Sequence, residues 1–367
     1  MSRIDDLIQE LCPDGVRYGV LGDLVIMSWG NTSLTKSSYV AHEKGFTAYS
    51  ATGPDGFVTE FEFDQDGIVL SAIGARCGKT WFASGKWTCI KNTIYFYSID
   101  ESLILNKFLY WITFGESFWP RSTSAQPFIS LGDSRKLRIP IPPLEVQREI
   151  VSILDKFTEL EAELEAELEA RRNQFDYYLE KLVAIHENQL DSSNKVLKLS
   201  DVLKIKNGKG YSHLNIGEIP VYGSGGIMTF VDDYCAIGPS VLIPRKGSLG
   251  NLFYVEGEFW NVDTIFNTEI NEEVAIPKYV YWYLKNLDLA AMNLAGGVPS
   301  LTQTMLNHLP IKIPNLATQE QIVATLDKLD QLLNSSDSGL TGELLNRRKQ
   351  YEHYRDKLLT FKELKSA

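Results

Sequence analysis

The sequence predicts an α+β fold with two pseudo-symmetric mixed α/β domains separated by two long antiparallel helices that form a coiled coil. Three observations lead to this prediction. A proline-rich segment that runs into a helix occurs twice, at residues 139–157 and 311–329. A second similarity follows each copy, at residues 171–178 and 347–354. Strand-type segments separated by glycine precede both copies, which indicates two similar halves in tandem.

The repeat sets the expected domain boundaries. At 367 residues, the chain is long enough for two or three domains, each with a core of its own. We predict a first globular domain at residues 1–143, a first long helix at 144–192, a second globular domain at 193–315 and a second long helix at 316–364. The polar segment at residues 191–194 is the expected linker between the halves.

Short elements are predicted before the first long helix. Residues 1–12 have apolar side chains at helical spacing and stop at Pro13, which indicates an amphipathic helix. Strand-type runs follow at residues 57–63, 68–73, 80–83 and 93–97. A helix is then expected at 103–114, a polar loop at 122–127 and a closing strand at 137–141.

The long helices have the pattern of a coiled coil. Neither Gly nor Pro interrupts residues 144–190, which allows a continuous helix of about 70 Å. Its apolar side chains form a narrow stripe opposite a charged face. The second helix is interrupted at residues 335–339, where about four residues are added relative to the first copy; because four residues are close to one turn, the stripe can resume on the same face. Antiparallel pairing would relate the halves by a pseudo-two-fold rotation, with the globular domains at opposite ends.

The net charge of −11 at first argues against a nucleic-acid partner, because DNA carries dense negative charge. The excess is unevenly distributed, however. Residues 139–193 hold 13 acidic and 5 basic side chains, whereas residues 1–138 hold 15 and 13 and residues 194–313 hold 11 and 10. The acidic run at 159–169 is expected to be a solvated helix face or a contact for a basic partner. Charge therefore does not oppose DNA binding by the globular halves.

The composition is that of a soluble globular protein without a membrane partner. No apolar run reaches the roughly 18 residues that a membrane helix needs, and the N-terminal segment lacks an apolar signal core. Cys12, Cys77, Cys89 and Cys235 have no ligand-type spacing, so we expect reduced, mostly buried thiols of a cytoplasmic protein. The five histidines are scattered, and no metal site is predicted.

The candidate catalytic motifs in the sequence are incomplete. Residues 74–80 resemble a phosphate-binding loop but are one residue short, since Ile73 stands where the pattern needs glycine. A hairpin turn with a basic tip is the better interpretation. No G-x-G-x-x-G follows a strand, and residues 140–143 lack the Asn and the aromatic residue of the N-P-P-[YF] loop of amino-methyltransferases. The sequence therefore predicts no catalytic residue and no cofactor.

Two loop systems, one in each half, combine amides, hydroxyls and basic groups. Arg and Lys recognise guanine, Asn and Gln recognise adenine, and hydroxyls contact phosphates, so these residues are the candidate DNA contacts. In the first half they are Asn31, Thr32, Ser33, Lys36, Ser50, Thr52, Arg76, Lys79, Arg121, Ser122, Ser124 and Gln126. In the second half they are Lys206, Asn207, Lys209, Tyr211, Ser212, His213, Tyr222, Ser224, Arg245, Lys246, Ser248, Asn251, Ser300 and Gln303. Any one of them could equally be an exposed turn residue; the duplication of the set carries more weight.

The most specific parts of the repeat are the I-P-x-P-P-L-x-x-Q-x-x-I-V-x-x-L-D-x-F entry to each helix and the A-R-R-x-Q-[FY]-x-x-Y exit at residues 170–178 and 346–354. Together they resemble the specificity (S) subunit of Type I restriction–modification systems, over nearly the whole chain. The second copy departs from the pattern at Asn315, which replaces a proline, and at Leu329, which replaces an aromatic residue.

The resemblance implies two target-recognition domains, each of which reads one half of a bipartite double-stranded DNA site. It also implies two methyltransferase subunits, which bind the methyl donor and flip the target adenine, and restriction subunits, which translocate and cleave DNA. The chain itself would be non-catalytic, and its helices would dock these subunits and set the spacer length. Because the two loop systems differ, the two half-sites should differ too.

Two other classes of function stay open at this point. One is an enzyme fused to a coiled coil, such as a bifunctional restriction–modification chain, which the missing methyltransferase and nuclease motifs disfavour. The other is a structural coiled-coil adaptor without DNA contact, which the duplicated donor-rich loops disfavour.

Overall fold

The computed structural model describes residues 3–42, 45–184, 195–287, 289–292, 300–335 and 339–364. The chain divides into two compact units. Unit 1 comprises Met1–Glu163 with Leu345–Ala367, and unit 2 comprises Leu164–Leu344. Each unit therefore combines one globular region with parts of both long helices.

Unit 1 contains three sheets, whose strand orders are β2-β9-β6-β7, β4-β3-β8-β5 and β1-β10. The strands are β1 (Arg17–Val20), β2 (Val25–Trp29), β3 (Phe46–Ser50), β4 (Gly53–Val58), β5 (Phe63–Asp64), β6 (Gly67–Ser71), β7 (Thr80–Ala83), β8 (Lys86–Cys89), β9 (Thr93–Ser98) and β10 (Arg138–Ile141). The helices are α1 (Arg3–Leu11), α2 (Leu21–Leu24), α3 (Asn106–Ile112), α4 (Leu131–Arg135) and the first half of α5 (Leu144–Ala184). The strand β6 is buried along its whole length, and Ile94, Phe96 and Phe108 pack around it in one apolar core.

Unit 2 repeats this topology with every strand number raised by ten: β12-β19-β16-β17, β14-β13-β18-β15 and β11-β20. The strands are β11 (Lys195–Lys198), β12 (Leu203–Asn207), β13 (Ile216–Gly223), β14 (Gly226–Val231), β15 (Ala236–Ile237), β16 (Ser240–Pro244), β17 (Phe253–Val255), β18 (Glu258–Asn261), β19 (Ile265–Ile270) and β20 (Pro310–Ile313). The helices are α6 (Leu199–Val202), α7 (Pro277–Asn286), α8 (Gln303–Asn307), α9 (Leu316–Asn334) and α10 (Leu340–Leu359), which continues into unit 1. The predicted pseudo-symmetry of two mixed α/β regions is confirmed.

The long helices pair antiparallel within each unit. In unit 1 the ring of Phe157 lies 5.9 Å from that of Tyr354, and Arg348 Nε donates to a carboxylate oxygen of Glu161 at 2.6 Å. Residue numbers therefore rise along α5 while they fall along α10. In unit 2 the later α5 residues Leu168 and Phe175 join α9 residues in one apolar cluster, as the coiled-coil pattern predicts.

The acidic run on α5 is largely a solvated face. Glu163, Glu165, Glu167 and Glu169 are exposed, whereas the leucines between them are buried against unit 2. Glu161 instead faces the partner helix and its arginine. The acidic excess therefore belongs to the helix surface and not to the sheets.

Several predicted boundaries are corrected by the structure. The strand expected at 57–63 is wrong, because β4 ends at Val58 and β5 begins only at Phe63. The helix expected at 103–114 is shorter, since α3 begins at Asn106. Before it, the Leu103 carbonyl and the Leu105 N–H bond to a side chain of α5 instead of to helical backbone.

The interruption of the second helix is confirmed. The helix α9 ends at Asn334 and α10 begins at Leu340, and the Gly339 N–H donates to the Ser335 carbonyl at 2.9 Å. Residues 336–338 lie outside the described residues. So do residues 185–194, which include the predicted end of the first helix and the linker, whereas α5 itself is described to Ala184.

A buried glutamine at the start of each long helix fixes the strand-to-helix junction. Gln147 is fully buried; its Oε1 accepts from the Leu105 N–H at 2.9 Å, and its Nε2 donates to the carbonyls of Leu103 at 2.9 Å and Pro142 at 2.8 Å. Gln319 is its counterpart. It is also fully buried and accepts from the Ile276 N–H at 2.8 Å while donating to Val274 and Pro314 carbonyls. The "x-x-Q" of the repeated sequence is thus a structural residue.

A tryptophan and a lysine of the preceding helix both bind one aspartate of the long helix, about two turns after the glutamine. Trp111 Nε1 donates to Asp155 at 3.0 Å, and in unit 2 Trp282 Nε1 donates to Asp327 at 2.9 Å. Each aspartate also pairs with a lysine one turn before its tryptophan, at 3.5 Å in unit 1 and 2.8 Å in unit 2. Both halves therefore use the same polar contacts to dock the globular region on its helix.

We expect Gln147→Leu to lower the free energy of unfolding by roughly 2–4 kcal/mol, because three buried backbone groups lose their hydrogen-bond partner. Gln319→Leu should act equally in unit 2. The matched control is Gln174→Leu, an exposed position on the same α5 helix, which should change stability by about 0.5 kcal/mol or less. Chemical denaturation measures the three variants; equal stabilities of Gln147→Leu and Gln174→Leu would contradict the structural role of the buried amide.

Candidate nucleic-acid interface

Several candidate residues of unit 1 lie on loops that leave one end of the β2-β9-β6-β7 sheet, and others lie on the β3–β4 hairpin. Trp29 of β2 and Leu70 of β6 both pair with Ile94 at the start of β9. The segments after β2, after β6 and before β9 therefore emerge together. The loop after β6 also contacts a second polar loop, since the Gly74 N–H donates to the Pro127 carbonyl at 3.1 Å.

The loop at residues 74–79 is a hairpin turn, as the sequence predicts. It joins the antiparallel strands β6 and β7, and no helix follows it. Gly74 and Gly78 have φ angles of 103° and 100°, a region that residues with a side chain rarely adopt. Arg76 and Lys79 are exposed on this turn, which gives it the expected basic tip.

A carboxylate that the sequence analysis missed organises the centre of this loop set. Asp55 accepts hydrogen bonds from Lys36 Nζ at 2.5 Å, from the Tyr39 hydroxyl at 2.7 Å and from Ser50 Oγ at 2.8 Å. Thr52 Oγ1 donates to it as well. Partial burial acts to raise the pKa of Asp55, but the hydrogen bonds from Lys36 and the three hydroxyls outweigh it and hold that pKa far below its usual range. Asp55 is therefore ionised at any physiological pH.

A β-bulge aims Asp55 at these partners. In the β3–β4 hairpin Ala48 pairs with Gly56 and Tyr49 with Pro54, so Asp55 between them has no strand partner. The ring of Tyr39 lies directly over Gly56, where a Cβ atom would approach the ring within 2.0 Å. Only glycine at this position leaves space for Tyr39 to reach the carboxylate.

The other candidates of unit 1 surround this centre. An Arg76 guanidinium N–H donates to the Thr52 carbonyl at 2.9 Å, which ties the basic turn to the hairpin. Arg121 pairs with Glu116 at 2.8 Å. Ser124 Oγ donates to the Gln126 carbonyl at 2.6 Å within the polar loop, where both residues are exposed.

At the edge of the same loop set, Asn31 is partly committed to other contacts. Its Nδ2 donates to Glu62, and its Oδ1 accepts from the Ser33 N–H at 2.9 Å. The Ser33 side chain is exposed. Asn31 thus organises its own turn, whereas Ser33 remains accessible to a ligand.

In unit 2 the equivalent loops meet around a threonine. The Ser224 N–H donates to Thr264 Oγ1 at 3.4 Å, and the N–H groups of Arg245 and Lys246 donate to the Thr264 carbonyl at 2.9 and 3.3 Å. Asn251 Nδ2 donates to the Ser224 carbonyl at 3.2 Å. The structure therefore brings these four predicted residues together.

The Arg245 side chain lies over an aromatic ring. Its guanidinium carbon is 5.7 Å from the centroid of Phe266, which orients a half-buried arginine at the loop base. Lys246 and Ser248 are exposed on the same loop. This loop is the unit 2 counterpart of the basic turn at 74–79.

The remaining candidates of unit 2 lie on β12, in the loop after it and at the start of α8. Lys206 pairs with Glu269 on the neighbouring strand, and Gln303 Nε2 donates to the Ile205 carbonyl at 2.9 Å, so both side chains have structural contacts. Tyr211 packs in a small apolar cluster. Asn207 and Lys209 are exposed, and the Lys209 N–H is held by the Asn261 carbonyl at 2.8 Å.

Comparison with known proteins gives a family for this duplicated arrangement. The sequence profile described as "Type I restriction modification DNA specificity domain" matches residues 16–170 and again residues 192–345. The chain belongs to this family. The family recognises DNA and is distinct from the methyltransferase, and its members are non-catalytic specificity subunits.

Individual relatives agree with the profile. A putative Type I restriction enzyme specificity subunit of Haemophilus influenzae is 29% identical over 346 residues, which cover 85% of this chain and 87% of the relative. The EcoR124I/EcoR124II specificity subunit of Escherichia coli is 32% identical over 72% of this chain and 73% of its own length. The crystal structure of the S subunit from M. genitalium superposes with a TM-score of 0.65 at 21% identity, over 94% of this chain and 96% of that one, which shows a shared fold.

Among the described residues, the thiols and the potential metal ligands show no arrangement typical of a catalytic centre. The four thiols are free, and burial raises the pKa of each, to about 12 for Cys89, so they are poor nucleophiles. Within the same residues, no group of His, Cys, Asp and Glu could hold a metal ion. No described helix has both the length and the apolar surface that crossing a bilayer requires.

Sequence reasoning missed Tyr39, Asp55, Gly56 and Thr264. Asp55 has no hydrogen-bond donor to offer a base or a phosphate, and Thr264 acts through its backbone and one hydroxyl. A usable signal was present: the Pro54-Asp55-Gly56 tripeptide marks a turn or bulge next to a strand, and Asp there often accepts local hydrogen bonds.

Gly56→Ala should destabilise unit 1 of the specificity subunit by about 1–3 kcal/mol, because the added methyl group displaces Tyr39 from Asp55. The matched control is Gly132→Ala in α4, where the nearest atom to an added Cβ is Ser130 Oγ at 3.6 Å. That control should be neutral or slightly stabilising, since alanine favours helix. Thermal unfolding checks both; a Gly56→Ala protein as stable as the control would show that Tyr39 can move at no cost.

Proposed function

We propose that this specificity subunit reads a bipartite double-stranded DNA site, with the loops of unit 1 on one half-site and those of unit 2 on the other. The observation that carries the proposal is the pair of sheets with identical strand order whose equivalent loops hold different donors. Equivalent scaffolds with different loop side chains are suited to reading two different sequences. Residues 1–143 and residues 193–315 are proposed as the two target-recognition domains.

Base contacts are proposed for the polar side chains that the structure leaves accessible. In unit 1 these are Ser33, Ser124 and Gln126, together with Arg76 beside the hairpin, whereas the exposed Lys79 is proposed as a phosphate contact. In unit 2 the exposed residues Asn207, Lys209, Lys246, Ser248 and Asn251 surround Arg245 and Ser224. Basic side chains on phosphates would supply salt-dependent affinity, and directed donors at base edges would supply specificity.

The chemistry is proposed to come from partner subunits. Two methyltransferase subunits would bind the methyl donor and take the target adenine out of the helix, and restriction subunits would translocate and cleave DNA. The complex is proposed to act in the cytoplasm.

The paired long helices, proposed at residues 144–192 and 316–364, dock the partners and set the spacer between half-sites. A helix advances about 1.5 Å per residue, so its length converts directly into distance along DNA. The exposed carboxylates at Glu163, Glu165, Glu167 and Glu169 offer a surface that attracts a basic partner protein and repels DNA.

Genome-wide mapping of methylated adenines tests this function. The chain would be expressed with a Type I methyltransferase subunit, and each protein would be expressed alone as a control. The expected result is methylation at a split site only when both proteins are present. Methylation by the chain alone would assign it catalytic activity, and an unchanged methylation pattern with no retention of DNA by the pair would indicate a structural adaptor.

Arg245→Ala should relax recognition in one half-site and leave the other unchanged, at a cost of about 1–3 kcal/mol in binding to the preferred sequence. Arg76→Ala is the mirror variant, because it removes a guanidinium from the equivalent loop of unit 1 and should act on the opposite half-site. Methylation of a DNA library randomised in both half-sites measures each preference. An equal loss on all sequences would identify Arg245 as a phosphate contact instead.

A four-residue insertion after Ala166 in α5 should lengthen the spacer without changing either half-site sequence. Because Leu164 and Leu168 pack in one cluster with Leu344, a matching insertion after Gly342 in α10 is needed to keep the antiparallel helices in register. Four residues add about one helical turn. The methylated sites of the double insertion variant give the spacer directly, and an unchanged spacer would exclude the helices as its determinant.

A further inference from the structure

The hydrogen bonds around Asp55 leave Lys36 in an unusual position for a DNA-facing lysine. Its Nζ donates to Asp55 at 2.5 Å and to Thr52 Oγ1 at 3.0 Å, although its side chain is 61% exposed. An ammonium group has three N–H donors, so one remains for a ligand. Lysines that contact phosphates are ordinarily flexible point charges; this one is fixed in direction, and its charge is balanced by a carboxylate.

The carboxylate itself is held from several sides. Tyr39 and Ser50 donate to it from the preceding loop and from β3, and the bulge keeps it out of the strand pairing. With four donors around its two oxygens, Asp55 has little remaining capacity to accept a hydrogen bond from a base. Asp55 would therefore influence DNA recognition only through Lys36.

Unit 2 lacks this arrangement at the equivalent position. The β13–β14 hairpin has the same bulge, since Val221 pairs with Thr229 and Tyr222 with Ile227. The bulged residue between them is Met228, which is 57% exposed. The same bulge therefore carries Asp55, which holds Lys36 in place (the Asp55–Lys36 clamp), in unit 1, and it carries an apolar side chain in unit 2.

We propose that Asp55 is a positioning residue that makes Lys36 a base-reading side chain in the first half-site rather than a phosphate contact. The inference rests on the proposed DNA-reading function and names a determinant of its specificity. A fixed single N–H donor matches the hydrogen-bond acceptors on the major-groove edge of guanine. A charge-balanced lysine releases few counterions, so it adds little to the salt-dependent part of binding.

The test measures sequence preference and salt dependence together, with the full chain bound to its methyltransferase partner. Lys36→Gln should reduce the preference for one base pair of the first half-site on the order of tenfold. It should change the slope of log K against log salt by much less than the roughly 0.9 expected for one phosphate contact. Asp55→Asn should reduce the same preference and make that slope steeper by about 0.9, because it frees the cation.

Lys79→Gln is the matched control from the same loop set. Lys79 is exposed, and among the described residues no carboxylate pairs with it. Its loss should leave every base preference unchanged. The second half-site is an internal control in all variants, because the clamp has no counterpart in unit 2.

Two results would overturn the proposal: a full slope change in Lys36→Gln with all preferences intact, or equal effects of Asp55→Asn on both half-sites. If Asp55→Asn does not fold, Tyr39→Phe removes one hydrogen bond of the clamp without changing charge. It should weaken the same preference with no change in slope, and an unaltered preference would reject the clamp. A wild-type complex that methylates no split site would reject the proposed function itself, independently of these variants.

Discussion

The buried amide at the start of each long helix is the interaction on which the architecture depends. Gln147 and Gln319 each satisfy three backbone groups at the point where a proline-rich strand becomes a helix and a second segment crosses over it. Replacing either amide would leave buried N–H and C=O groups unpaired, which costs more than a hydrogen bond is worth in water. Together with the Trp–Asp contacts further along, the amide fixes the angle at which the globular region meets its helix.

Much of the fold could be predicted because the two copies of the repeated sequence align with each other and so mark equivalent elements in the two halves. The entry and exit patterns flank helices of nearly equal length, so two similar halves and antiparallel helices follow from the sequence. The boundaries near residue 103 could not be predicted, since the Leu103 and Leu105 backbone is diverted to a glutamine 42–44 residues away in sequence. The end of β4 at Val58 could not be predicted either. Residues 57–63 have strand-like side chains, but only some of them pair with a neighbouring strand.

The candidate site was predictable as a set of loops and not as a set of contacts. Lys36, Thr52 and Arg76 could be chosen by residue type, yet their arrangement depends on Asp55, which residue type excludes. Gln303 and Lys206 show the opposite difficulty. Both have suitable donors, but one bonds to a backbone carbonyl and the other pairs with Glu269 on the next strand. A sequence shows which side chains can donate hydrogen bonds. It does not show which of them are already bonded to residues that are distant in the sequence and close in the fold.

The two bulges show how a duplicated scaffold can carry different side chains at equivalent positions. The bulge is a backbone feature, set by strand pairing and by glycines at the hairpin ends, and it recurs in both units. Its side chain is free to vary, because a bulged residue is not constrained by a strand partner. In unit 1 that position is Asp55, which requires donors around it and so constrains Lys36, Tyr39 and Gly56 together. In unit 2 it is Met228, which requires no such donors, so the side chains at the bulge differ between the units while the strand pairing stays the same.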